Sequence, residues 1–247
     1  MSGFDPTAYG GAIAQEYDDL YEGESVDTDD AVARLALLAG DGPVLEFGIG
    51  TGRLALPLAA SGVEVHGVEA SVEMVEELRK KPGGEAITVA VGDFAQVDAG
   101  RDFALVVLAV NTIFALPDQQ AQVQCFANAA RHLRTGGMFV VEAWVPDLAD
   151  FRHNRLVRPR IHRSDRVSIE VVRLDPVAQM METTQTVLDH KGVRLYPSNH
   201  RYAWPSELDL MAQLAGMRLT DRWEDWRATP FCGESRKHVS VYGLAEE

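Results

Sequence analysis

The sequence predicts an α/β protein with a Rossmann-like mixed sheet of seven strands and an antiparallel β-insertion after the fifth strand. Residues 43–144 alternate between short apolar runs and helical stretches with one apolar face, which is typical of a parallel sheet covered by helices. After Trp144 this alternation stops, and polar and apolar side chains alternate along residues 167–204 instead. A length of 247 residues suits one such domain with an insertion.

The first predicted strand is the most informative element of the chain. It ends in an acidic residue followed by glycines at alternate positions: Glu46, Gly48, Gly50 and Gly52. Glycine adopts positive φ in tight turns and lets a ligand approach the backbone closely. A strand, a glycine turn and a helix N-terminus together form a nucleotide-binding corner. The spacing differs from the G-x-G-x-x-G of hydride-transfer enzymes, because Arg53 occupies the place of the third glycine.

The next three predicted strands also end in residues with suitable chemistry. Glu69 closes the second strand, nineteen positions after Gly50, and Gly92-Asp93-Phe94 follows the third. Asn111 follows the fourth strand, predicted over 103–110. Because the carboxyl ends of parallel strands meet at one edge of a sheet, these residues are expected to surround a common ligand.

The order of these motifs resembles that of the class I S-adenosylmethionine-dependent methyltransferases, and the resemblance implies S-adenosyl-L-methionine as cofactor. It implies that Glu69 accepts hydrogen bonds from the ribose hydroxyls. It also implies that Asp93 takes the adenine amino group with Phe94 beside the ring. The cofactor-binding residues implied in this way are Tyr17, Tyr21, Glu46, Phe47, Gly48, Gly50, Gly52, Arg53, Glu69, Ala70, Met74, Gly92, Asp93, Phe94, Val110 and Asn111.

The N-terminal segment is predicted to be helical, because apolar and aromatic residues recur at helical spacing between residues 8 and 21, Tyr17 and Tyr21 among them. Two interpretations stay open: an aromatic stripe packed on the domain, or a lid over the cofactor as in related small-molecule methyltransferases. The predicted units are N-terminal lid helices (1–40), a cofactor-binding core (41–149), an acceptor-covering insertion (150–204) and closing elements (205–247).

Composition excludes several classes of partner. The net charge is −14, from 37 acidic and 23 basic residues, and an acidic surface repels nucleic-acid phosphates. No apolar run reaches the roughly 20 residues that a membrane helix needs, and the N-terminus lacks the features of a signal peptide. Two cysteines and no cluster of acids and histidines predict no metal site. We expect a cytoplasmic monomer or homodimer with neither nucleic acid nor membrane as partner.

The insertion is unusually basic at its start. Seven arginines and two acids lie between residues 151 and 173. In a strand, Arg158, Arg160 and His162 would share one face by the two-residue period. The arginines form either a solvated surface, which includes pairing with the acidic N-terminus, or a docking face for an acceptor with a phosphate or carboxylate.

Candidate acceptor-site residues lie at the end of strand five and in the insertion. Methyl transfer depends mainly on proximity and alignment, and a general base contributes only where the acceptor loses a proton. His200 is the candidate base, and it is expected to share a strand face with Tyr202 and Trp204. Trp144, at the tip of strand five, is expected to add to the acceptor pocket.

The predicted function is methyl transfer to an oxygen or nitrogen of a small molecule in secondary metabolism. The lid-like N-terminus and the single β-insertion resemble the nucleotide-sugar N-methyltransferases of antibiotic pathways. An O-methyltransferase is the alternative within the family. A catalytically inactive cofactor-binding scaffold is the alternative from another class.

Overall fold

The computed structural model describes residue 14, residues 17–18 and residues 27–245. Helices in that part of the chain are α1 (Thr28–Ala39), α2 (Ala55–Ala60), α3 (Val72–Lys80), α4 (Gln119–His132) and α5 (Pro205–Leu214), with 3₁₀ turns at Gly84–Ala86 and Thr112–Ala115. The strands are β1 (Val44–Phe47), β2 (Val65–Glu69), β3 (Thr88–Val91), β4 (Phe103–Leu108), β5 (Leu133–Trp144), β6 (Arg155–His162), β7 (Arg166–Asp175), β8 (Met180–Asp189), β9 (Gly192–Arg201), β10 (Met217–Trp223) and β11 (Lys237–Leu244).

Seven strands form one mixed sheet in the order β10-β11-β5-β4-β1-β2-β3. Strands β1 to β5 pair in parallel, and β11 lies antiparallel to both β5 and β10. Every residue of β1 and β4 is buried, because helices cover both faces of a parallel sheet and leave no polar side to its central strands. The predicted fold class is confirmed.

Two apolar cores lie on opposite faces of this sheet. Phe47 and Val106 face one core, to which α4 contributes Phe126. Leu105 faces the other, to which α1 contributes Leu35. Neighbouring residues of β4 thus enter different cores, as the alternation of strand side chains requires. The residues that follow the carboxyl ends of β1 and β4 also join these cores, Ile49 and Ala109 on one face and Ile113 and Phe114 on the other.

The insertion folds as a separate antiparallel sheet in the order β6-β7-β8-β9. Its edge strand β9 lies against the Thr112–Ala115 turn, which follows β4. Val187 of β8 and Tyr196 of β9 pack with Met74, near the start of α3. Both contact points follow carboxyl ends of parallel strands, so the small sheet lies beside the edge where the sequence motifs meet. The division of the chain into four units stays a prediction.

One face of the small sheet, here called the inner face, packs towards the seven-stranded sheet. On β7 it carries Ser168, Glu170, Val172 and Leu174, and the last two pack in a cluster with Trp144. Cross-strand neighbours share a face, so the register adds polar and apolar residues of the other strands. These are Leu156, Arg158, Ile161, Met181, Thr183, Gln185, Val187, Arg194, Tyr196, Ser198 and His200.

The expected common face of Arg158, Arg160 and His162 is wrong. Strand β6 is irregular between Pro159 and Ile161, where two steps along β6 oppose a single step along β7. A bulge of this kind shifts the side-chain alternation by one residue. Arg158 consequently lies opposite Glu170 on the inner face, while His162 lies opposite Val167 on the other face.

The end of β9 is anchored to the main domain by a buried polar network. Arg201 is 5% exposed and donates to Gln122 of α4, Gln179 and Glu207 of α5, the last at 2.7 Å. Gln122 in turn donates to the carbonyl groups of Ile113 and Arg201. A buried guanidinium is tolerated when its donors are satisfied in this way. The network fixes the neighbourhood of His200 relative to the end of β4.

Candidate active site

The glycine turn after β1 leaves its backbone open on one side. Gly48 and Gly50 have φ values of +68° and +54°, a region that favours glycine. A Cβ on Gly48 would lie 2.7 Å from Cγ2 of Thr112, whereas a Cβ on Gly50 would meet nothing closer than a carbonyl oxygen at 4.0 Å. Gly50 therefore presents bare backbone to open space, as expected where a ligand approaches a glycine turn.

A cleft lies between this turn and the end of β4. Six of the residues predicted to bind cofactor line it: Tyr17, Glu46, Gly48, Gly50, Arg53 and Val110. The sequence reasoning missed four further lining residues: Ile49, Thr51, Ala109 and Thr112. Three of the four flank the predicted glycines or Val110, and Thr112 directly follows Asn111. Their position next to the motifs is the feature of the sequence from which they could have been predicted.

Glu69 connects the glycine turn to the start of α3. Its carboxylate accepts hydrogen bonds from the backbone N–H groups of Gly50 at 2.9 Å and Ser71 at 3.0 Å. Burial raises the pKa of Glu69, and the N–H groups of Ser71, Gly50 and Ala70 oppose that rise. The carboxylate lies directly beside the open face of Gly50.

Glu46 is a buried acid on the wall of the cleft. Its side chain is 6% exposed, and burial raises its pKa to about 8, with the nearby Arg53 opposing the shift and Glu69 adding to it. At neutral pH the carboxyl group is consequently mostly protonated. A cationic group entering the cleft would favour its ionised form.

The tip of β3 carries the predicted adenine-binding residues. Val91, its last residue, pairs with Glu69, so Asp93 and Phe94 lie next to the tip of β2. Asp93 already accepts from the Ala95 N–H at 2.8 Å and from Gln96 at 3.1 Å. Phe94 stacks on Phe47 with ring centroids 5.9 Å apart. The tip is thus ordered by its own contacts.

At several residues predicted to bind the cofactor, the side chain, or the Cβ position of a glycine, points into the protein interior. Phe47 is 1% and Met74 4% exposed, so both side chains belong to apolar cores. A Cβ on Gly52 would clash with side chains of Leu78 and Leu56, so this glycine permits close packing of α2 and α3. A Cβ on Gly92 would lie 3.1 Å from Val97. Among these four, only the backbone is free to face a ligand.

The N-terminal segment reaches the cleft at residues 17 and 18. Tyr17 lines it, and Asp18 accepts a hydrogen bond from the Thr51 hydroxyl at 2.7 Å and pairs with Lys81 at 2.5 Å. These contacts join the segment to the glycine turn and to the end of α3. Tyr21, the other predicted lid residue, lies outside the described residues.

The end of β4 forms a tight left-handed turn. The predicted strand extends to Val110, but β4 ends at Leu108 because Val110 and Asn111 adopt φ values of +53° and +63°. The Oδ1 atom of Asn111 accepts a hydrogen bond from the Trp144 N–H at 2.7 Å. The Asn111 side chain is therefore bound to the end of β5, and Val110 is the member of the pair that lines the cleft.

The acceptor-site candidates occupy different environments. His200 lies on the inner face, its Nε2 2.9 Å from the Ser198 hydroxyl, and burial lowers its pKa while Glu170 opposes that shift. Tyr202 is 2% exposed and packs in a cluster with Trp144. Trp204 is 42% exposed and caps α5. The strand expected to join His200 to Trp204 ends at Arg201, and Trp204 is the N-cap residue of α5, which begins at Pro205.

Arg158 and Arg160 also differ from each other. Arg158 is on the inner face, where its guanidinium donates to Glu170 at 2.5 Å. Arg160 lies at the irregular point of β6, and the side chains of both arginines are exposed. Within residues 27–245 and the three described before them, no group of three histidine, cysteine or acidic side chains is arranged to hold a metal ion. No helix of the same residues is long and apolar enough to cross a membrane.

Comparison with known proteins identifies the architecture. A family model described as a methyltransferase domain matches residues 44–137. The solved structure of the CcbJ methyltransferase from Streptomyces caelestis is 39% identical, with a TM-score of 0.92, and the match covers 98% of this chain and all of that one. The cypemycin N-terminal methyltransferase of a Streptomyces species is 27% identical over 202 residues, 80% of this chain and 81% of the relative.

A third relative is the dTDP-3-amino-3,6-dideoxy-alpha-D-glucopyranose N,N-dimethyltransferase of Streptomyces fradiae. It is 30% identical over 141 residues, which are 55% of this chain and 54% of that protein. The full-length match to a methyltransferase structure agrees with the glycine turn, the strand-end acids and the seven-stranded sheet. The chain belongs to the class I S-adenosylmethionine-dependent methyltransferases, and S-adenosyl-L-methionine is its cofactor.

Proposed function

We propose that this enzyme methylates an amine nitrogen of a small natural-product acceptor in secondary metabolism. Of the relatives above, one is named an N-terminal methyltransferase and another an amino-sugar N,N-dimethyltransferase. The observation that carries the proposal is the pairing of a half-buried His200 with Ser198 on the inner face, within the electrostatic influence of Glu170. An oxygen acceptor is the alternative.

An amine places two demands on its site that this face meets. An amine acceptor has a pKa between roughly 7.7–8.0, the value of a peptide N-terminus, and roughly 10.4, the value of a lysine side chain, so at pH 7 it arrives mostly as a cation. Glu170, with a side chain 15% exposed, lies on the inner face paired with Arg158, and an ammonium group there would compete with Arg158 for this carboxylate. The ammonium must lose a proton before its lone pair attacks a methyl group. Burial lowers the pKa of His200, so its imidazole is neutral at pH 7 and able to accept that proton.

For the cofactor, we assign the cleft between the glycine turn and Val110. S-Adenosylmethionine supplies a methyl group already activated on a sulfonium. The protein would bind and align the cofactor. The backbone of Gly50 is open to it, the Glu69 carboxylate would accept hydrogen bonds from the ribose hydroxyls, and the Asp93 carboxylate would accept one from the adenine amino group. Glu46 is suited to the amino group of the methionine part, because that carboxyl gains from a nearby cation. Tyr17 covers the cleft.

The direct test uses S-adenosylmethionine labelled with carbon-13 in its methyl group. Amino sugars and peptides with a free N-terminus serve as acceptors, each beside a counterpart with hydroxyl in place of the amine. We expect the NMR signal of the product methyl on nitrogen and no product from the hydroxyl counterparts. A methyl signal on oxygen would contradict the proposal. Cofactor binding without any methyl transfer across the panel would instead favour the scaffold alternative.

The role of His200 is tested with a matched histidine. His200→Gln should lower kcat by about 10²-fold, within the range that general bases contribute. Its pH–rate profile should also lose the limb that rises as the imidazole becomes neutral. His190→Gln changes an exposed histidine in the β8–β9 turn of the same sheet and should leave the rate unchanged. Equal rates for His200→Gln and wild type would remove His200 from the reaction.

A further inference from the structure

The left-handed turn at the end of β4 is an unusual piece of backbone. Val110 and Asn111 have φ values of +53° and +63°, and neither is glycine. Asparagine tolerates this region, but a β-branched residue there is a genuine outlier. Such a conformation persists only when its surroundings enforce it, and outliers of this kind cluster at functional sites.

Glu142 of β5 provides the enforcing contacts. One carboxylate oxygen, Oε2, accepts the Val110 N–H at 3.0 Å, and the backbone carbonyl of the same residue accepts the Asn111 N–H at 3.1 Å. The Trp144 N–H, two residues further along β5, donates to Asn111 at 2.7 Å. Both peptide N–H groups of the turn are thus held by a single residue of the neighbouring strand.

Glu142 is itself held from the other side. Its second oxygen, Oε1, accepts the indole N–H of Trp226 at 2.9 Å. Trp226 is 2% exposed, and its carbonyl accepts a hydrogen bond from Arg34 of α1 at 3.1 Å. Each carboxylate oxygen of Glu142 therefore accepts one hydrogen bond. A glutamine at this position has one oxygen and one NH₂ group, so the NH₂ group would face one of the two donors and one hydrogen bond would be lost.

The turn held in this way is a wall of the cleft. Ala109, Val110 and Thr112 line it opposite the glycine turn, and Thr112 lies against Gly48. A shift of Val110 into ordinary backbone geometry would move this wall relative to Gly50. Glu142 and Trp226 do not line the cleft, so any influence they have on a ligand passes through the turn.

We propose that Glu142 and Trp226 are positioning residues, which fix the left-handed Val110–Asn111 turn and thereby set the cleft wall against which S-adenosylmethionine binds. The inference rests on the proposed placement of the cofactor in this cleft. The two residues form a rigid support that runs from α1 through β5 to the end of β4. Their contribution is to cofactor affinity and alignment, with no direct contact to either ligand.

A rescue experiment distinguishes positioning from general structural support. Glu142→Gln should weaken S-adenosylhomocysteine binding by about tenfold, the scale of one lost hydrogen bond to a charged group. Adding Val110→Gly should restore most of that affinity, because glycine adopts positive φ without enforcement. Adding Val110→Ala removes nearly the same side chain but keeps the backbone penalty, so it should restore none. If Glu142→Gln does not fold, Trp226→Phe with the same two partners replaces it.

Thermal unfolding of the protein without cofactor supplies a second readout. Val110→Gly should melt at a higher temperature than Val110→Ala, since only alanine pays for the left-handed conformation. Wild-type affinity in both Glu142→Gln and Trp226→Phe, or equal rescue by glycine and alanine, would overturn the inference. If the wild-type protein does not bind S-adenosylhomocysteine, the assignment of the cofactor to this cleft is wrong.

The melting temperatures test the other claim independently of the cofactor. If Val110→Gly melts at a temperature no higher than Val110→Ala, the turn does not need to be enforced and the positioning role is wrong.

Discussion

The cofactor cleft and the inserted sheet lie side by side in this enzyme but are built in different ways. The cleft is defined mainly by the backbone of the open glycines after β1 and of the left-handed turn after β4, and Glu69 at the end of β2 is hydrogen-bonded to that glycine turn. The inner face of the inserted sheet is defined by side chains that the cross-strand register of four strands brings together. We infer that the cleft holds what the family shares, and that the inserted sheet determines which acceptor is used.

The largest effect should come from Glu69, the acid at the end of β2 that accepts the Gly50 N–H beside the cleft. Glu69→Ala removes the proposed acceptor of two ribose hydroxyls and the partner of the Gly50 N–H. We expect about a 10²-fold loss of S-adenosylhomocysteine affinity by calorimetry, since hydrogen bonds to a charged group contribute about 1.5–3 kcal/mol each. Glu76→Ala, which changes an exposed acid of α3, should bind as wild type. An affinity for Glu69→Ala close to that of Glu76→Ala would refute the assignment.

Two glycines with positive φ provide the next test of the cleft. Gly50 and Gly62 have φ values of +54° and +98°, and neither has a protein atom closer than 4 Å to an added Cβ. Alanine should therefore cost each variant a similar stability, about 1–2 kcal/mol for the left-handed conformation. Only Gly50→Ala places a methyl group in the cofactor's approach, so it alone should lose tenfold or more in affinity. Equal affinities would show that the cofactor does not approach Gly50.

The proton on Glu46 predicts a pH effect of intermediate size. The folded-state pKa of about 8 lies above the ordinary value of 4.5, so the folded protein holds the proton more tightly and loses stability as pH rises through this window. An ammonium beside Glu46 would ionise it. Binding of S-adenosylhomocysteine at pH 7 should therefore release nearly one proton, measurable by calorimetry in buffers of different ionisation enthalpy. Glu46→Gln should abolish the release, and a release that persists in this variant would assign it elsewhere.

The smallest effect is expected at the arginines of the inserted sheet. Arg158 already pairs with Glu170, and exposed ion pairs contribute little in water. If the acceptor carries a phosphate or carboxylate, Arg158→Ala with Arg160→Ala should raise its KM about two- to threefold and leave cofactor affinity unchanged. Arg173→Ala, at an exposed pair with Glu182 on the same sheet, is the control. An unchanged KM would favour a neutral or cationic acceptor.

The sequence predicts the cleft better than it predicts the inserted sheet, and the reason is physical. Backbone with positive φ restricts residue type, so Gly48 and Gly50 mark the turn directly. Strand ends likewise mark Glu69 and Asp93. The positive φ of Val110 cannot be predicted from its residue type, because its conformation is enforced by Glu142, which is 32 positions away in the sequence.

On the inserted sheet, the bulge at Arg160 reverses the alternation that the sequence suggests. The bulge also places Arg158 and His162 on opposite faces of the sheet, which the sequence around them does not predict. Strand β9 ends at Arg201 and leaves Trp204 outside it, although the alternation of side chains continues to Trp204. His200 was found because its residue type is chemically suggestive. Its partner Ser198 and the nearby Glu170 emerge only from the register.

The division of work between the two regions is tested most directly by titrating S-adenosylhomocysteine into a variant that combines Glu170→Gln and His200→Gln. These changes remove the charge and the base of the inner face and leave the glycine turn, Glu69 and Val110 unchanged. We expect wild-type affinity for S-adenosylhomocysteine together with a loss of methyl transfer to the acceptor. A fall in affinity comparable to that of Glu69→Ala would contradict the account, because the inserted sheet would then be part of the cofactor site.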